Sequence, residues 1–447
     1  MKYPAYPKYK DSGVEWLGDV PEEWKIQKFR HSFKESGDKI TGSVVGPMLS
    51  VSGYRGIEIK EYDDENRRRS DEDLVGYRIV RPGQLVVNTM WLNYAGLGVS
   101  EFEGHVSPAY RSYHIENVLY KRFVHHMMRS SLFVQGYTKF LTGIRPNSLQ
   151  MSRDDLMSFA LLLPSIEEQR AIATFLDYET AKIDALITEQ EKLVALLQEK
   201  RQAVISRAVT KGLNPDAPMK DSGVEWLGEV PVGWNVFNFR RIITRIEQGW
   251  SPNASSEPCQ NGDWGVLKIS AVKFGRFVQG ENKALLDDVL PIVTYQVFSG
   301  DLLLTRANTP DLVGDCCVVS DDLQYKLMMS DLIYRVQLAP EVDAHFASYL
   351  LRSNFGRSQI KADARGSSMT MAKISQGHIK DWVVVIPHLS EQQTIVEYLD
   401  TETTKIGTLI TEANKAIELL KERRSAIISA AVTGKIDVRS IPLQETV

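Results

Sequence analysis

At 447 residues the chain is too long for one hydrophobic core and suits two or three domains. A hydrophobic content of 43% with 25% charged residues is that of a folded globular protein, and no run of about 18 apolar residues suggests a membrane span. The net charge of −4 gives no general attraction to nucleic acid, so such binding would have to come from local clustering of cations.

The N-terminal MKYPAYPKYK has no apolar stretch of the kind a signal peptide carries. Cys259 and the adjacent Cys316 and Cys317 form neither a disulfide framework nor a metal knuckle, so reduced thiols and a cytoplasmic location are expected. Next comes KDSGVEWLG, Lys10 to Gly18, which returns unchanged as Lys220 to Gly228. The match extends through DVPEEWKIQKFR in the first copy and EVPVGWNVFNFR in the second, so the chain reads as two halves. Each half continues into short apolar runs bounded by Gly, Pro and Asn, such as Tyr77 to Asn88 and Asp301 to Val319, which predict a β-rich middle. The basic run Arg67 to Arg69 is flanked by acids in EYDDENRRRSDEDL and reads as a solvated, neutralised surface.

From Lys121 to Arg153 the chain carries Lys121, Arg122, Arg129, Lys139, Arg145 and Arg153 with no Asp or Glu. The matching stretch, Arg352 to Lys380, has Arg352, Arg357, Lys361, Arg365, Lys373 and Lys380 against Asp363 alone. Two basic runs at matching places in an acidic chain point to phosphate neutralisation. Within them lie the loop-like pieces Thr142 to Ser148, with Arg145 and Asn147, and Ala364 to Thr370, with Arg365 and Ser367. A second pair of loops adds Asn88 and Trp91, and Arg306 and Asn308. Arg grips guanine through two hydrogen bonds and Asn grips adenine, so Lys139, Arg145, Asn147, Asn88, Trp91, Arg306, Asn308, Arg365, Ser367 and Lys373 are the DNA-binding candidates. Loss of a base contact at Arg145 or Arg365 is expected to cost about 1–3 kcal/mol.

Both halves end in a long helix. Glu168 to Thr210 and Glu391 to Thr433 align at an offset of 223 (391 − 168), with more than half the positions identical. Pro164 before Ser165-x-x-Glu168, and Pro387 before Ser390-x-x-Gln393, have the form of capping boxes. Apolar residues recur at three-and-four spacing as Ile183, Leu186, Leu193, Leu197 and Val204, and as Ile406, Leu409, Leu420 and Ile427. Gln190 and Lys200, with Ala413 and Arg423 opposite, interrupt the stripes, and Gly212 and Gly434 stand where they stop. Rods of about 60 Å need a partner stripe, and each best matches the other. The order of elements predicts domains at 1–162, 163–213, 214–385 and 386–440, with a tail at 441–447. Phosphate-loop, dinucleotide-binding, HExxH and (N/D)PP(F/Y) motifs are all missing, so no catalytic or metal site proposes itself.

The half-opening motif KDSGVEWLGxVPxxW (to Trp24 and Trp234), the half-closing motif (L/I)PxxxEQxxIxxxLD (Leu163 to Asp177, Ile386 to Asp400) and GDLLLTRAN (Gly300 to Asn308) resemble the specificity subunits of type I restriction–modification systems. The first half departs in having Gly83-Gln-Leu-Val-Val-Asn-Thr-Met-Trp, so Thr89 stands opposite Arg306. The resemblance implies an α+β chain with two α/β target recognition domains. These would be joined by two long antiparallel helices, a coiled-coil-like spacer with pseudo-two-fold symmetry. It implies a non-catalytic reader of a split site in double-stranded DNA and no cofactor on this chain. S-adenosylmethionine would sit on two modification (methyltransferase) subunits, beside two ATP-dependent restriction subunits. Two other classes stay open: the specificity component of a related system with a fused restriction–methylation partner, and a helical scaffold that does not bind DNA. If the helices set the distance between half-sites, a heptad inserted in Ala185–Lys200 should change the spacer alone. KDSGVEWLG itself is expected beside each helix terminus, near Gly212 and Gly434, as a clasp closing the chain into a ring, with Trp16 and Trp226 as its apolar anchors.

Overall fold

The computed structural model describes residues 3–62, 70–143, 149–260, 262–364 and 371–441. Its helices are α1 (Lys121–Arg129), α2 (Ser131–Thr138), α3 (Arg153–Ser158), α4 (Ile166–Lys211), α5 (Ala344–Arg352), α6 (Asn354–Asp363), α7 (Gln376–Asp381) and α8 (Leu389–Val432). The chain forms two compact units, Met1–Glu191 with Asn414–Val447, and Lys192–Ala413. No helix among the described residues is long and apolar enough to cross a membrane.

The first unit is built on a four-stranded antiparallel sheet in the order Phe33–Glu35, Tyr110–Ile115, Leu85–Asn88, Leu97–Val99. Leu85–Asn88 is buried at all four positions, as the apolar run Leu85-Val86-Val87 requires when both faces of the sheet are covered. Its side chains alternate between two cores. Leu85 and Val87 enter the large core with Phe29, Phe123, Tyr137 and Leu161, while Val86 enters a smaller one with Leu49, Ile57, Val80 and Val106.

The second unit repeats this plan: Ile243–Gln248, Ile333–Leu338, Leu302–Thr305, Cys316–Val318. Leu302 and Leu304 enter one core with Phe346, Leu350 and Val384, and Leu303 the other with Cys317, Leu327 and Ile333. In both units the strand after the opening motif pairs with the strand before the long helix, Lys25–Lys28 with Ala160–Leu163 and Asn235–Asn238 with Val383–Ile386. The duplication seen in the sequence is therefore a duplication of topology in the four-stranded sheets and the strand pairs beside the long helices, while among the described residues the smaller sheets of the diverged middles differ.

Ser165 caps α4 as its sequence predicts, accepting from the Glu168 N–H at 3.2 Å. The Ser390 cap is corrected: α8 begins at Leu389, which places Ser390 inside the helix. His388 stands before it instead, its carbonyl accepting from the Glu391 N–H at 2.9 Å.

The long helices pack together and run antiparallel. In the first unit Ile183 and Ile187 share a core with Ile417, Ile427 and Ile428, and Asp184 accepts from Arg424 Nε at 2.8 Å. In the second, Ile205, Ala208 and Val209 share a core with Ile395 and Leu399. The predicted stripe is partly off by one. Ile183, Leu197, Ile406 and Ile427 are buried, and Val204 and Leu420 are half-buried, but Leu186, Leu193 and Leu409 are exposed. The buried and half-buried line instead follows four-and-three steps through Ile183, Ile187, Gln190, Val194 and Leu197, and through Ile406, Ile410, Ala413, Ile417 and Leu420. Apolar residues side by side, as in Leu186–Ile187 and Leu409–Ile410, fit either reading, and the unbroken heptad decides. Gln190 and Ala413 do lie on this line, whereas Lys200 and Arg423 face water and Arg201 and Arg424 are half-buried beside them.

The opening motif sits at the helix termini, as its repeat position suggested. In the first unit Tyr9 donates to the Gly434 carbonyl at 2.9 Å and Lys435 to the Asp19 carbonyl at 2.8 Å. In the second, Lys211 donates to the Glu229 carbonyl. Gly434 and Gly212 end the helices with φ of 71° and 74°. A Cβ at Gly434 would strike Pro21 and lie 3.3 Å from the Trp24 ring; one at Gly212 would lie 3.3 Å from the Trp234 ring. The anchors are therefore Trp24 and Trp234, not Trp16 and Trp226. Trp24 Nε1 donates to Glu168 at 3.0 Å, and Trp234 Nε1 to Glu391 at 3.1 Å, so each indole is tied to the first turn of a long helix. Trp16 instead packs on Phe133 and Phe159, and Trp226 stacks on Phe355 while staying 53% exposed.

Candidate nucleic-acid interface

In both units two stretches singled out separately in the sequence come together. In the first, Leu141–Thr142 and Gln150–Met151 pair as a short ladder, and the Met151 N–H donates to the Thr89 carbonyl at 3.2 Å. In the second, Ala307–Asn308 pairs with Ala372–Lys373, and the Ile374 N–H donates to the Arg306 carbonyl at 3.0 Å. Thr89 and Arg306, opposed in the sequence alignment, thus receive equivalent backbone bonds. The strand that enters each ladder after the basic loop docks at the end of the central strand of the sheet. Arg145, Asn147, Arg365 and Ser367 lie outside the described residues, as do Arg67 to Arg69.

The remaining candidates divide by environment. Asn88 is only 5% exposed, and its side-chain oxygen accepts from the Met90 N–H at 3.2 Å, so it shapes the turn. Trp91 is 56% exposed, with the Tyr94 ring 5.7 Å away and Met90 also exposed. Met90, Trp91 and Tyr94 thus form one exposed apolar patch, which NTMWLNYAG carries in its aromatic spacing. The half-buried Arg306 is bonded through its backbone to Leu332 and Ile374. Asn308 accepts from the Thr309 N–H at 2.8 Å. Lys373 is exposed on its ladder, and Lys139 reaches Glu15 at 3.2 Å.

Much of the acid-free basic run proves to be occupied. Arg153 pairs with Glu35, which also holds Arg111. Arg122 reaches Asp177 at 2.6 Å and Glu101 at 2.9 Å. Arg129 donates to the carbonyls of Ser52, Gly53, Ala95 and Leu97, and burial, with Arg424 nearby, pushes its pKa down to about 10. Arg357 holds the carbonyls of Val313 and Asp311, and Lys361 pairs with Asp311. The expectation of two free cationic faces is corrected to this extent: charge isolated along the chain is paired across the fold.

A polar cleft of about 640 Å³ in the first unit is lined by Tyr54, Arg122, His125, His126, Asp177 and Arg424 among others. Burial alone would raise the Asp177 carboxyl, but hydrogen bonds from His126 (2.8 Å) and Arg122 overrule it and hold it at about 2. Burial pushes His125 well below the ordinary imidazole range, helped by Arg129; burial also lowers His126, against the opposing pull of Asp177. A base whose pKa falls on folding binds fewer protons folded than unfolded between the two values, so stability is lost as pH falls from about 6.5. Urea unfolding of the full chain should show stability dropping between pH 7.5 and 5.5 by up to about 1.4 kcal/mol per pH unit per histidine. His125→Gln is expected to flatten that slope, and an unchanged slope would refute the assignment. The corresponding positions of the second unit hold Ser348 and Tyr349, so the acid sensitivity belongs to the first.

The model of the type I restriction modification DNA specificity domain matches residues 231–419. The chain is 31% identical over 198 residues to the type I restriction enzyme EcoEI specificity subunit of Escherichia coli, covering 44% of this chain and 33% of that protein. It is 26% identical over 281 residues to the EcoKI specificity subunit of Escherichia coli K12, covering 62% of this chain and 57% of that one. The matches thus span between a third and just over half the length of these relatives. A chain from the solved structure described as "Structural basis underlying complex assembly and conformational transition of the type I R-M system" superposes with a TM-score of 0.67 at 15% identity, covering 93% of this chain and 99% of that one. That likeness concerns the fold. The match to the specificity domain thus falls on the second half of the chain, and the central plan of that half is repeated in the first.

Proposed function

We propose that this chain reads DNA for a type I restriction–modification complex and performs no bond-breaking chemistry itself. Each unit reads one half of a bipartite duplex site, and the modification and restriction subunits, two of each, assemble around it in the cytoplasm. S-adenosylmethionine belongs to the modification subunits, where adenine is methylated, and this chain carries no cofactor.

The observation that supports this reading most is the paired ladder. In each unit, two stretches rich in base-reading side chains converge at the end of one central strand, on a frame that is otherwise duplicated. Loops on a rigid sheet are where recognition residues vary without disturbing packing. Phosphate contacts place such a protein and base contacts specify the sequence, so exchanging a loop should change sequence and leave assembly alone.

The test is methylome sequencing of a host expressing the system. The expected result is one bipartite modified motif. Replacing residues 364–371 with the equivalent segment of another specificity subunit should alter the bases of one half of that motif and leave the other half unchanged. A motif altered in both halves, or in neither, would refute the assignment of one reader per unit. Absence of sequence-dependent, salt-sensitive DNA binding by the assembled complex would refute DNA reading as a whole.

A further inference from the structure

Arginines stand at matched places in the two units but are neutralised in only one. At the repeat offset of 223, Arg129 of α1 corresponds to Arg352 of α5, and Arg424 of α8 to Arg201 of α4. In the first unit both are satisfied. Arg129 donates to four backbone carbonyls, and Arg424 pairs with Asp184 while lying 4.7 Å from the Tyr54 ring centroid. In the second unit the place of Asp184 is taken by Gly407, which supplies no carboxylate.

No carboxylate replaces it. The side chains of Arg201 and Arg352 make no hydrogen bond or ion pair with any described residue, and the same is true of a third arginine, Arg276. Arg276 Nη2 lies 4.0 Å from where a Cβ on Gly407 would stand. The Arg352 guanidinium lies against Gly275, the neighbour of Arg276, and 5.7 Å from the Tyr349 ring centroid. Two acids are near, and both are engaged elsewhere. Asp400 accepts from the Tyr349 hydroxyl at 2.6 Å, and buried Asp315 accepts from the N–H groups of Phe274 and Cys316. Burial pushes Arg201 below the usual arginine range, and the nearby charges of Arg352 and Arg276 add to the effect.

We infer that Arg201, Arg276 and Arg352 form a phosphate seat in the second unit. Three converging guanidiniums repel one another and leave their N–H forks unused, and a tetrahedral oxyanion offers several acceptors at once. A phosphodiester of bound duplex DNA and free inorganic phosphate share that chemistry. The first of these sources rests on the function proposed above; the seat does not.

The experiment uses the full chain and two probes, inorganic phosphate followed by ³¹P line broadening, and a duplex whose affinity is measured against salt. Wild type should broaden the phosphate signal, and Arg201→Gln/Arg276→Gln should abolish the broadening. Gly407→Asp should do the same with every arginine in place, because it restores the carboxylate that neutralises the first unit. If the duplex supplies the phosphate, the slope of log K against log salt should shrink by about 0.9 per lost contact in the variants, with the recognised sequence unchanged. An unchanged slope with lost broadening assigns the seat to free phosphate. Equal broadening and equal slopes in wild type and variants would overturn the seat. So would a defect confined to assembly with the partner subunits, which would mark a protein carboxylate as the occupant. Phosphate broadening by a chain whose complex binds no DNA would sink the proposed function and leave the seat standing.

Discussion

Trp24→Ala should cost about 3–5 kcal/mol of stability, the range for removing a large aromatic from a closed core. Trp24 is 1% exposed, packs edge-on to Tyr6 at 5.8 Å, and backs onto the glycine that ends α8. Its loss also removes one of two donors to Glu168, leaving that buried carboxylate to Tyr6 at 2.5 Å. Burial and the Glu168 contact raise the Tyr6 pKa, so the phenol keeps its proton and remains a donor. The measurement is the urea midpoint at constant m-value. Trp24→Phe should lose less, because it keeps most of the packing and forfeits the indole N–H. Trp226→Ala, at a half-exposed ring, should lose far less than Trp24→Ala. Equal losses at Trp226 and Trp24 would overturn the assignment of Trp24 as the anchor.

Arg335→Met should be as damaging, for an electrostatic reason. Arg335 lies within the central sheet of the second unit and is 5% exposed. Its guanidinium meets Glu247 at 2.5 Å and Asp301 at 3.1 Å, and donates to the carbonyls of Gln296 and Thr294. Removing the cation leaves Glu247 only the exposed Arg245 as an ion-pair partner among the described residues and takes from Asp301 its own, and breaking a buried pair from one side costs about 3–5 kcal/mol. Removing the acids as well should recover much of that loss, because a buried ion cluster is a poor source of net stability. Thermal or urea unfolding of Arg335→Met against Arg335→Met/Glu247→Leu/Asp301→Asn tests this. If the triple variant were the less stable, the cluster would be supplying net stability through its own attraction.

The plan of the chain was legible because it is written twice, and because helix and strand periods survive divergence. The Asp301 to Val319 stretch announced β-structure, though not that Leu302–Thr305 is buried at every position, and the matched helical segments announced their partnership. What stayed hidden depends on distance along the chain. Arg122 finds Asp177, 55 residues on, and Arg153 finds Glu35, 118 residues back, so a stretch without acids in sequence is not one in space. The helix register failed for a different reason. At Leu186–Ile187 and Leu409–Ile410 hydrophobicity alone does not choose between neighbours, and only the continuing heptad does. Asn88 looked like a base reader because turns and recognition loops draw on the same side chains, and burial separates the two uses. Arg201, Arg276 and Arg352 are scattered over the sequence, and no spacing rule gathers them.

The way α4 and α8 end has a consequence for their local opening. Helices ordinarily fray from their termini inward, because the last carbonyls lack partners. Here Ala208, Val209 and Thr210, and likewise Ala431, Val432 and Thr433, are all buried beneath an opening motif, while the middle turns bury only one narrow stripe. Amide exchange with solvent is therefore expected to run in the reverse of the usual order, with the middles of the rods opening first and their C-terminal ends last.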